Sequence, residues 1–196
     1  MERIPIMYAI AISGSPRPKG NTETLCRRVL DGLASAGCRT ALHSLAGRAI
    51  AGCTGCAWCR KDGHQGCVQE DDFQALYAEL LLADIVVIAS PVYFGSATPE
   101  LMAFLDRAGY VARGQGQCLA RKVGAPIAIA RRAGHNFTVA QLLMWLVIND
   151  FVVPGSSYWP IAFGGAPDTV NEDAEGLATI DRLAANLAWV AGKLTA

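Results

Sequence analysis

The chain has 196 residues, of which 52% are hydrophobic and 17% are charged, and its formal net charge is zero. This composition excludes an intrinsically disordered chain, which combines low hydrophobicity with a high net charge. It also argues against a nucleic-acid-binding protein, because the basic residues form isolated pairs and no basic face. We expect a single domain over residues 1–196.

The amino-terminal segment predicts a cytoplasmic protein. Met1–Ser13 lacks the basic start, long apolar run and cleavage site of a signal peptide, and it has the pattern of a first strand. No stretch approaches the ~20 consecutive apolar residues that span a bilayer. The chain has seven cysteines, and this odd number argues against a disulfide framework.

Hydrophobic periodicity predicts that strands and helices alternate along the chain. The predicted strands are Tyr8–Ser13, Arg39–Leu45, Asp84–Ser90, Lys122–Ala130 and a fifth that starts at Phe151–Val153 and continues irregularly to Ala162. The predicted helices are Thr22–Ala36, a helix capped by Asp71 with Gln74 completing a capping box, Thr98–Tyr110, Asn136–Asn149 and Asn171–Leu194. The fourth helix is apolar nearly all round, so we expect it to be buried. Five strands that each precede a helix predict a doubly wound α/β fold, with a flavodoxin-like five-stranded parallel sheet in the order 2-1-3-4-5.

The loop between the first strand and the first helix has the features of a phosphate-binding loop. A helix N-terminus presents unpaired N–H groups and a positive dipole end to an anion, and small residues let the backbone approach it. The segment SGSPRPKGNT supplies short polar side chains and positive charge from Ser13, Ser15, Arg17, Lys19, Asn21 and Thr22. Neither the G-x-x-x-x-G-K-[ST] pattern nor the G-x-G-x-x-G pattern occurs here. An ordinary turn between strand and helix is the alternative.

This segment resembles the GSPRxxGNT signature of the NADPH-dependent FMN reductase family, close to the iron–sulfur flavoproteins within it. The resemblance extends over nearly the whole chain, through DDF, ADIVVIASPVYFGSATPELMAFLDR, IARRAG and VPGSSYW. It implies an FMN-dependent oxidoreductase that uses NAD(P)H as reductant and holds the FMN phosphate in the loop Ser13–Thr22. The residues that we expect to bind the cofactor are Ser13, Ser15, Arg17, Gly20, Asn21, Thr22, Pro91, Val92, Tyr93, Phe94, Gly95, Arg131, Ala133 and Gly134.

The loop after the third strand is the expected flavin platform, because the first and third strands flank the point where ligands bind in this strand order. Pro91 stiffens the loop, Gly95 permits a close approach, and Tyr93 and Phe94 offer aromatic surface to a flat ring. Core packing is the alternative role for the two aromatic residues.

The fourth strand ends in the sequence RRAGH, residues 131–135. The resemblance places Ala133 and Gly134 against the flavin ring. Arg131 either offsets the negative charge of a reduced flavin or forms a surface salt bridge. His135 has the chemistry to protonate a flavin or bind nicotinamide, but at the start of a helix we expect it to face solvent.

Four cysteines follow the pattern C-x2-C-x2-C-x7-C, namely Cys53, Cys56, Cys59 and Cys67. Three closely spaced cysteines with a more distant fourth are typical of a [4Fe–4S] cluster, and zinc sites more often pair two separated C-x2-C units. The pattern resembles the compact cysteine motif of the iron–sulfur flavoproteins. A zinc site, a redox dithiol and plain thiols are the alternatives. We expect Cys26, Cys38 and Cys118 to be small core side chains.

Two redox functions are consistent with these motifs. In the first, NAD(P)H reduces FMN, which passes electrons to a small-molecule acceptor such as a quinone or a flavin. No catalytic acid or base is then required, because the cofactor carries the chemistry. In the second, a [4Fe–4S] cluster takes electrons from ferredoxin and passes them to FMN. A binding protein that retains only the fold is a third hypothesis.

We also expect a homodimer or a tetramer. The flavin in this fold lies at an exposed edge of the sheet, and a substrate needs a wall over the ring. Trp145, Tyr158 and Trp159 are the aromatic residues that we expect on the partner surface.

Overall fold

The protein is built around one parallel sheet of five strands. The computed structural model describes residues 6–194, so residues 1–5 of the predicted first segment lie outside the described part. The strands are β1 (Tyr8–Ser13), β2 (Arg39–Ser44), β3 (Ile85–Pro91), β4 (Val123–Ala130) and β5 (Ile161–Phe163). Their order is β2-β1-β3-β4-β5, and every pair is parallel. This confirms the predicted flavodoxin-like topology.

Five helices connect or follow the strands within the described residues. They are α1 (Asn21–Ser35), α2 (Phe73–Leu82), α3 (Pro99–Gly114), α4 (His135–Ile148) and α5 (Ala174–Leu194), with short 3-10 turns at Trp58–Arg60 and Thr169–Glu172. Thr98 caps α3 as predicted, since its hydroxyl accepts a hydrogen bond from the Leu101 N–H. Among residues 6–194, no helix combines the length and apolar character needed to cross a membrane.

The predicted capping box at α2 forms in part. The Asp71 carboxylate accepts from the Phe73 N–H at 3.0 Å, and the Asp71 N–H donates to the Gln74 carboxamide oxygen at 3.3 Å. The helix itself begins at Phe73. The box therefore closes the turn that leads into α2.

The sheet separates two hydrophobic cores because successive side chains of a strand point to opposite faces. Tyr8, Ile10 and Ile12 of β1 pack in the core under α2, α3 and α4. Ala9 and Ala11 pack in the other core, under α1 and α5. Because every pair of strands is parallel, the carboxyl ends of all five strands share one edge of the sheet. The connecting loops can build a site at that edge.

The fifth strand lies later in the chain than predicted. Val152 makes only an isolated bridge with Val123 of β4, and the pairing strand is Ile161–Phe163. Pro154 lies two residues after Val152 and has no N–H to donate to a ladder, so the pairing does not continue through it.

The apolar composition of α4 predicted a buried helix, but the helix is only partly buried. Phe137, Met144, Val147 and Ile148 are exposed large hydrophobic side chains. One face of α4 packs on the sheet through Leu142 and Leu146, and the opposite face lies open in the single chain. The apolar composition of the helix therefore does not correspond to burial within the single chain.

Candidate functional site

The loops after β1, β3, β4 and β5 converge on one cavity of about 350 Å³ at the carboxyl edge of the sheet. Nine of the predicted cofactor-binding residues line it, namely Ser15, Arg17, Gly20, Asn21, Thr22, Pro91, Val92, Tyr93 and Arg131. The structure thus brings residues from three separate predicted segments together, as the strand order requires.

One end of the cavity is the N-terminus of α1. Gly20 is the extended residue before the helix, and no side chain of the described residues caps this end. The first N–H groups of a helix have no helical partner, so they are available to an anion in the cavity. The Ser15 hydroxyl accepts from the Arg17 N–H at 3.1 Å and fixes the turn of the loop. Gly14 lies so close to α3 that a Cβ atom there would meet Leu101 at 2.8 Å.

A tight turn that follows β3 begins at Tyr93, which lines the cavity. Tyr93 and Ser96 exchange backbone hydrogen bonds of 2.9 and 3.0 Å, and the two residues between them, Phe94 and Gly95, have φ angles of 52° and 82°. These are the features of a type I′ turn. Phe94 has a relative exposure of 110%, which excludes core packing as its role in the single chain. Tyr93 is partly exposed and lines the cavity.

Five predicted residues lie outside the lining of the cavity, namely Ser13, Phe94, Gly95, Ala133 and Gly134. Ser13 is fully buried at the end of β1, and its hydroxyl has no hydrogen-bond partner among the described residues. Gly134 packs behind the turn, where an added Cβ would meet Val92 at 2.8 Å. Of the five, Gly134 thus packs against a residue of the cavity wall, whereas Phe94 and Ala133 are exposed.

Sequence analysis missed the contribution of the segment after β5. Gly164, Gly165 and Pro167 line the cavity beside Arg131. A Gly-Gly pair at the carboxyl end of the last strand was the available signal, because such positions lie at the binding edge and allow close approach. Lys19, Pro18, Ile129 and Ala130 complete the lining.

Asn21, the first residue of α1, joins this segment to the loop between β1 and α1. Its side-chain N–H donates to the Ala166 carbonyl at 2.8 Å. Its carboxamide oxygen is buried without a partner among the described residues. Asn21 therefore positions the loop after β5 and still presents one free acceptor at the site.

We expected His135 to face solvent, but it is buried. Its relative exposure is 5%, and its Nε2 atom lies 3.1 Å from the Ala162 carbonyl of β5. The imidazole ring also meets the edge of Phe163, with 4.6 Å between ring centroids. Because both partners belong to β5, His135 fastens the start of α4 to the edge strand.

The cysteine loop, which is the cysteine-rich segment of about residues 46–70 between β2 and α2, forms a second, smaller pocket. Cys53, Cys56, Cys59 and Cys67 all line one cavity of about 20 Å³, together with side chains from α3. Cys53 and Cys56 are exposed, Cys67 is half-buried and Cys59 is buried. The two pockets share no lining residue.

The environment of the four thiols is uneven. Hydrogen bonds from the Trp58 N–H and the Thr54 hydroxyl lower the pKa of Cys56 below its usual value. Burial raises the pKa of Cys59, and the other three cysteines raise it further through their negative charge when ionised. The buried Cys59 thiol and the exposed Cys56 thiol are therefore shifted in opposite directions.

Metal-ion geometry is not preformed in the described part of the chain. No group of three or more His, Cys, Asp or Glu side chains among residues 6–194 is placed to hold a single metal ion. Cys26 and Cys38 are core side chains as predicted. Cys118, in contrast, is exposed and lies 3.4 Å from the Tyr77 hydroxyl, so its assignment to the core is wrong.

Comparison with known proteins agrees with the fold. A model of the NADPH-dependent FMN reductase family matches residues 7–166. An iron–sulfur flavoprotein of Methanocaldococcus jannaschii is 34% identical, over 94% of this chain and 97% of that protein. An iron–sulfur flavoprotein of Methanosarcina thermophila is 30% identical, over 92% of this chain and 93% of that protein. The crystal structure of RosB with a bound 8-demethyl-8-formylriboflavin-5'-phosphate intermediate aligns with a TM-score of 0.78 at 18% identity, over 96% of this chain and 80% of that chain.

The strand order and the cavity at the carboxyl edge define a flavodoxin-like protein. Since the family model covers most of its length, the chain belongs to the NADPH-dependent FMN reductase family, whose members are FMN-binding oxidoreductases. The family predicted from the sequence motifs is thereby confirmed, with iron–sulfur flavoproteins among its relatives.

Proposed function

We propose that this protein is an FMN-dependent oxidoreductase whose cavity beside α1 holds the cofactor. The observation that carries the proposal is the convergence of four loops on one cavity of about 350 Å³. Its volume lies within the range of small-molecule and cofactor sites. Family membership supports FMN as the ligand. The short phosphate loop offers no second nucleotide-binding half, which favours FMN over FAD.

The residues of the cavity fit the parts of FMN. The uncapped N-terminus of α1, with Arg17 nearby, suits the phosphate. The unpartnered oxygen of Asn21 suits a ribityl hydroxyl, and the wall formed by Val92 and Tyr93 suits the ring. Arg131 supplies positive charge at the ring end of the cavity. When bound, FMN supplies hydride and single-electron chemistry, which the protein orients and tunes.

Identification of the released cofactor tests this proposal. Acid treatment of the purified protein should release a flavin that runs as FMN in chromatography. Reconstituted apoprotein should bind FMN and regain a flavin absorption spectrum. Release of FAD, or an apoprotein without affinity for FMN, would contradict the proposal.

We further propose NAD(P)H as the reductant and a small molecule such as a quinone or a flavin as the acceptor. The description of the family supports this assignment. Anaerobic steady-state oxidation of NADH and NADPH, with and without a quinone, tests it. No acceleration over free FMN by either nucleotide would contradict it.

A second candidate function is electron transfer through a [4Fe–4S] cluster held by Cys53, Cys56, Cys59 and Cys67. All four line one pocket, and thiolates are the ligands that such clusters require. Each thiolate of a cluster binds a different iron atom, so the four sulfurs need not surround one ion. Two relatives with 34% and 30% identity bear the name iron–sulfur flavoprotein.

The cysteine pocket must widen to accept a cluster, because its present volume of about 20 Å³ is close to that of a single water. The exposed positions of Cys53 and Cys56 allow this movement. Metal binding would then complete the folding of the loop. Reduction of the bound flavin by reduced ferredoxin, with no turnover of NAD(P)H, would favour this function over the first.

We also propose a homodimer, or a tetramer built from dimers, that covers the exposed face of α4. That helix carries no charged residue, and Phe137, Met144, Val147 and Ile148 project from it. Exposed apolar surface of this kind marks protein interfaces, and homodimer interfaces are the most apolar of them. Tyr158 and Trp159 are exposed as expected of a partner surface, whereas Trp145 is buried and its indole N–H donates to the Leu105 carbonyl.

A further inference from the structure

A buried arginine underlies the cysteine pocket. Arg107 of α3 has a relative exposure of 1%, and no fully buried side chain in the described part of the protein has a larger volume. Its guanidinium lies against the ring of Phe73, with 4.2 Å from Cζ to the ring centroid. Burial of a charged group is costly unless it is paired and hydrogen-bonded, so the contacts of Arg107 must be specific.

The guanidinium joins the two arms of the cysteine loop, which are the segment that leads to Cys53 and the segment that follows Cys67. Nη1 donates to the Ala51 carbonyl at 3.1 Å, two residues before the first cysteine, and to the Asp71 carboxylate at 2.5 Å. Nη2 donates to the Gln69 carbonyl at 3.1 Å and points to the Cys67 sulfur at 3.4 Å. Both the outgoing arm and the returning arm of the loop are therefore held by one side chain.

The loop has little regular secondary structure, and its other links between the two arms include hydrogen bonds from the Ala51 N–H to Asp71 and from the Gln69 side chain to the Gly52 carbonyl. Between β2 and α2 the only regular element in the described structure is the three-residue turn Trp58–Arg60. Residues 51–56 are exposed. The planar fork of an arginine can hold several acceptors in fixed directions, which a lysine or an apolar side chain cannot do.

We propose that Arg107 is the positioning residue of the cysteine pocket, which places the Cys67 sulfur and donates a charge-assisted hydrogen bond to it. A thiol accepts such a bond weakly, whereas a thiolate ligand accepts it strongly. This inference rests on the proposed assignment of the four cysteines as cluster ligands. It adds a residue outside the cysteine motif that sets both the geometry and the electrostatics of the pocket.

The first test measures amide hydrogen exchange in the metal-free, FMN-containing protein. Exchange over residues 51–71 should be faster by at least about tenfold in Arg107→Met, with β1 and β3 unchanged. The matched control is Arg113→Met, because Arg113 lies on the same helix, is exposed and donates only to the Ile148 carbonyl. Exchange over residues 51–71 at the wild-type rate in Arg107→Met would overturn the inference. If Arg107→Met does not fold, Arg107→Lys replaces it with the same expected direction.

The second test is the midpoint potential of the reconstituted protein, which a purely structural role would leave unchanged. Loss of a cationic donor to a ligand sulfur disfavours an added electron, so the cluster potential in Arg107→Met should become more negative. Arg107→Lys should recover part of the shift, and Arg113→Met should show none. An unchanged potential in Arg107→Met at full iron content would overturn the inference.

The two proposals fail in different ways. If the wild-type protein itself takes up fewer than about three irons per chain, the assignment of the cluster is wrong. The exchange measurement then decides the positioning role of Arg107 without reference to any metal.

Discussion

The side chain of Asn21 donates a hydrogen bond of 2.8 Å to the carbonyl oxygen of Ala166, which lies 145 residues further along the chain. This contact ties the loop between β1 and α1 to the segment after β5. A Cβ atom at Gly164 would meet the same Asn21 amide at 2.7 Å, so the two segments are in close contact. The segment after β5 therefore forms part of the wall of the cavity.

Substitution of Asn21 should weaken the binding of FMN. Asn21→Ala removes the bond to Ala166 and the unpartnered acceptor in the cavity, and we expect a loss of about 1–3 kcal/mol in binding free energy. Fluorescence titration of the apoprotein with FMN measures it. The control is Asn186→Ala, which removes a similar bond to the Gly155 carbonyl outside the cavity. Equal affinity in the two variants would refute the role of Asn21.

Loss of a single cysteine of the pocket should abolish iron binding and leave FMN binding intact. The reason is that the two pockets share no lining residue. We expect Cys59→Ala to lose iron and acid-labile sulfide after anaerobic reconstitution, with flavin content unchanged. Cys118→Ala is the matched control, because Cys118 is exposed and lies outside the pocket. Iron contents that do not differ between the two variants would count against the cluster.

The ion pair between Asp71 and Arg107 should contribute stability that depends on pH. Burial raises the pKa of Asp71, but hydrogen bonds from Arg107 and from the Ala51 and Phe73 N–H groups outweigh it, so the pKa lies below its usual value. A carboxylate with a lowered pKa in the folded state stabilises the protein above its unfolded pKa, and this stability is lost as the pH falls through the folded value.

We expect Asp71→Asn to lower the free energy of unfolding by about 3 kcal/mol at pH 7, because it leaves a buried charge without its partner. The difference in the free energy of unfolding between Asp71→Asn and the wild type should shrink as the pH falls below the usual pKa of an aspartate. Urea unfolding at several pH values measures both effects. Asp31→Asn, at an exposed position of α1, should change stability by less than about 0.5 kcal/mol. A difference that persists unchanged in acid would contradict the pairing.

The turn at Phe94 should be stabilised by a residue that tolerates a positive φ. Phe94 has a φ of 52° at the first central position of a type I′ turn, where Asn followed by Gly is preferred. Phe94→Asn should therefore raise the free energy of unfolding of the apoprotein by about 1 kcal/mol. Phe137→Asn, at an exposed aromatic residue in a helix, should give no gain. A loss of stability in Phe94→Asn would show that the phenyl ring is covered in the native assembly.

A charge on the open face of α4 should separate the subunits. Met144 is 67% exposed, and Met144→Glu should reduce the mass measured by light scattering to that of one 20.7 kDa chain. Trp189→Glu, at an equally exposed residue of α5, should leave the oligomer intact. A wild-type protein that is monomeric at micromolar concentration with FMN bound would refute the dimer.

Local sequence patterns determined most of the architecture. Runs of apolar residues located β1, β3 and β4, and a cap at Thr98 located the start of α3, because strand and helix periodicities depend on near neighbours alone. The strand order then followed from short right-handed connections. It also brought the segments around Asn21, Tyr93 and Arg131 to the same cavity, since parallel strands share a carboxyl edge.

Only the tertiary structure decided which residues meet partners far away in the chain. His135 is buried because β5 supplies a carbonyl 27 residues later, and the segment after β5 joins the cavity because Asn21 holds it. Arg107 is buried because both arms of the cysteine loop close over it, although an arginine in a helix is normally a surface residue. Periodicity carries no information about such contacts, because it depends only on residues that are close in the sequence.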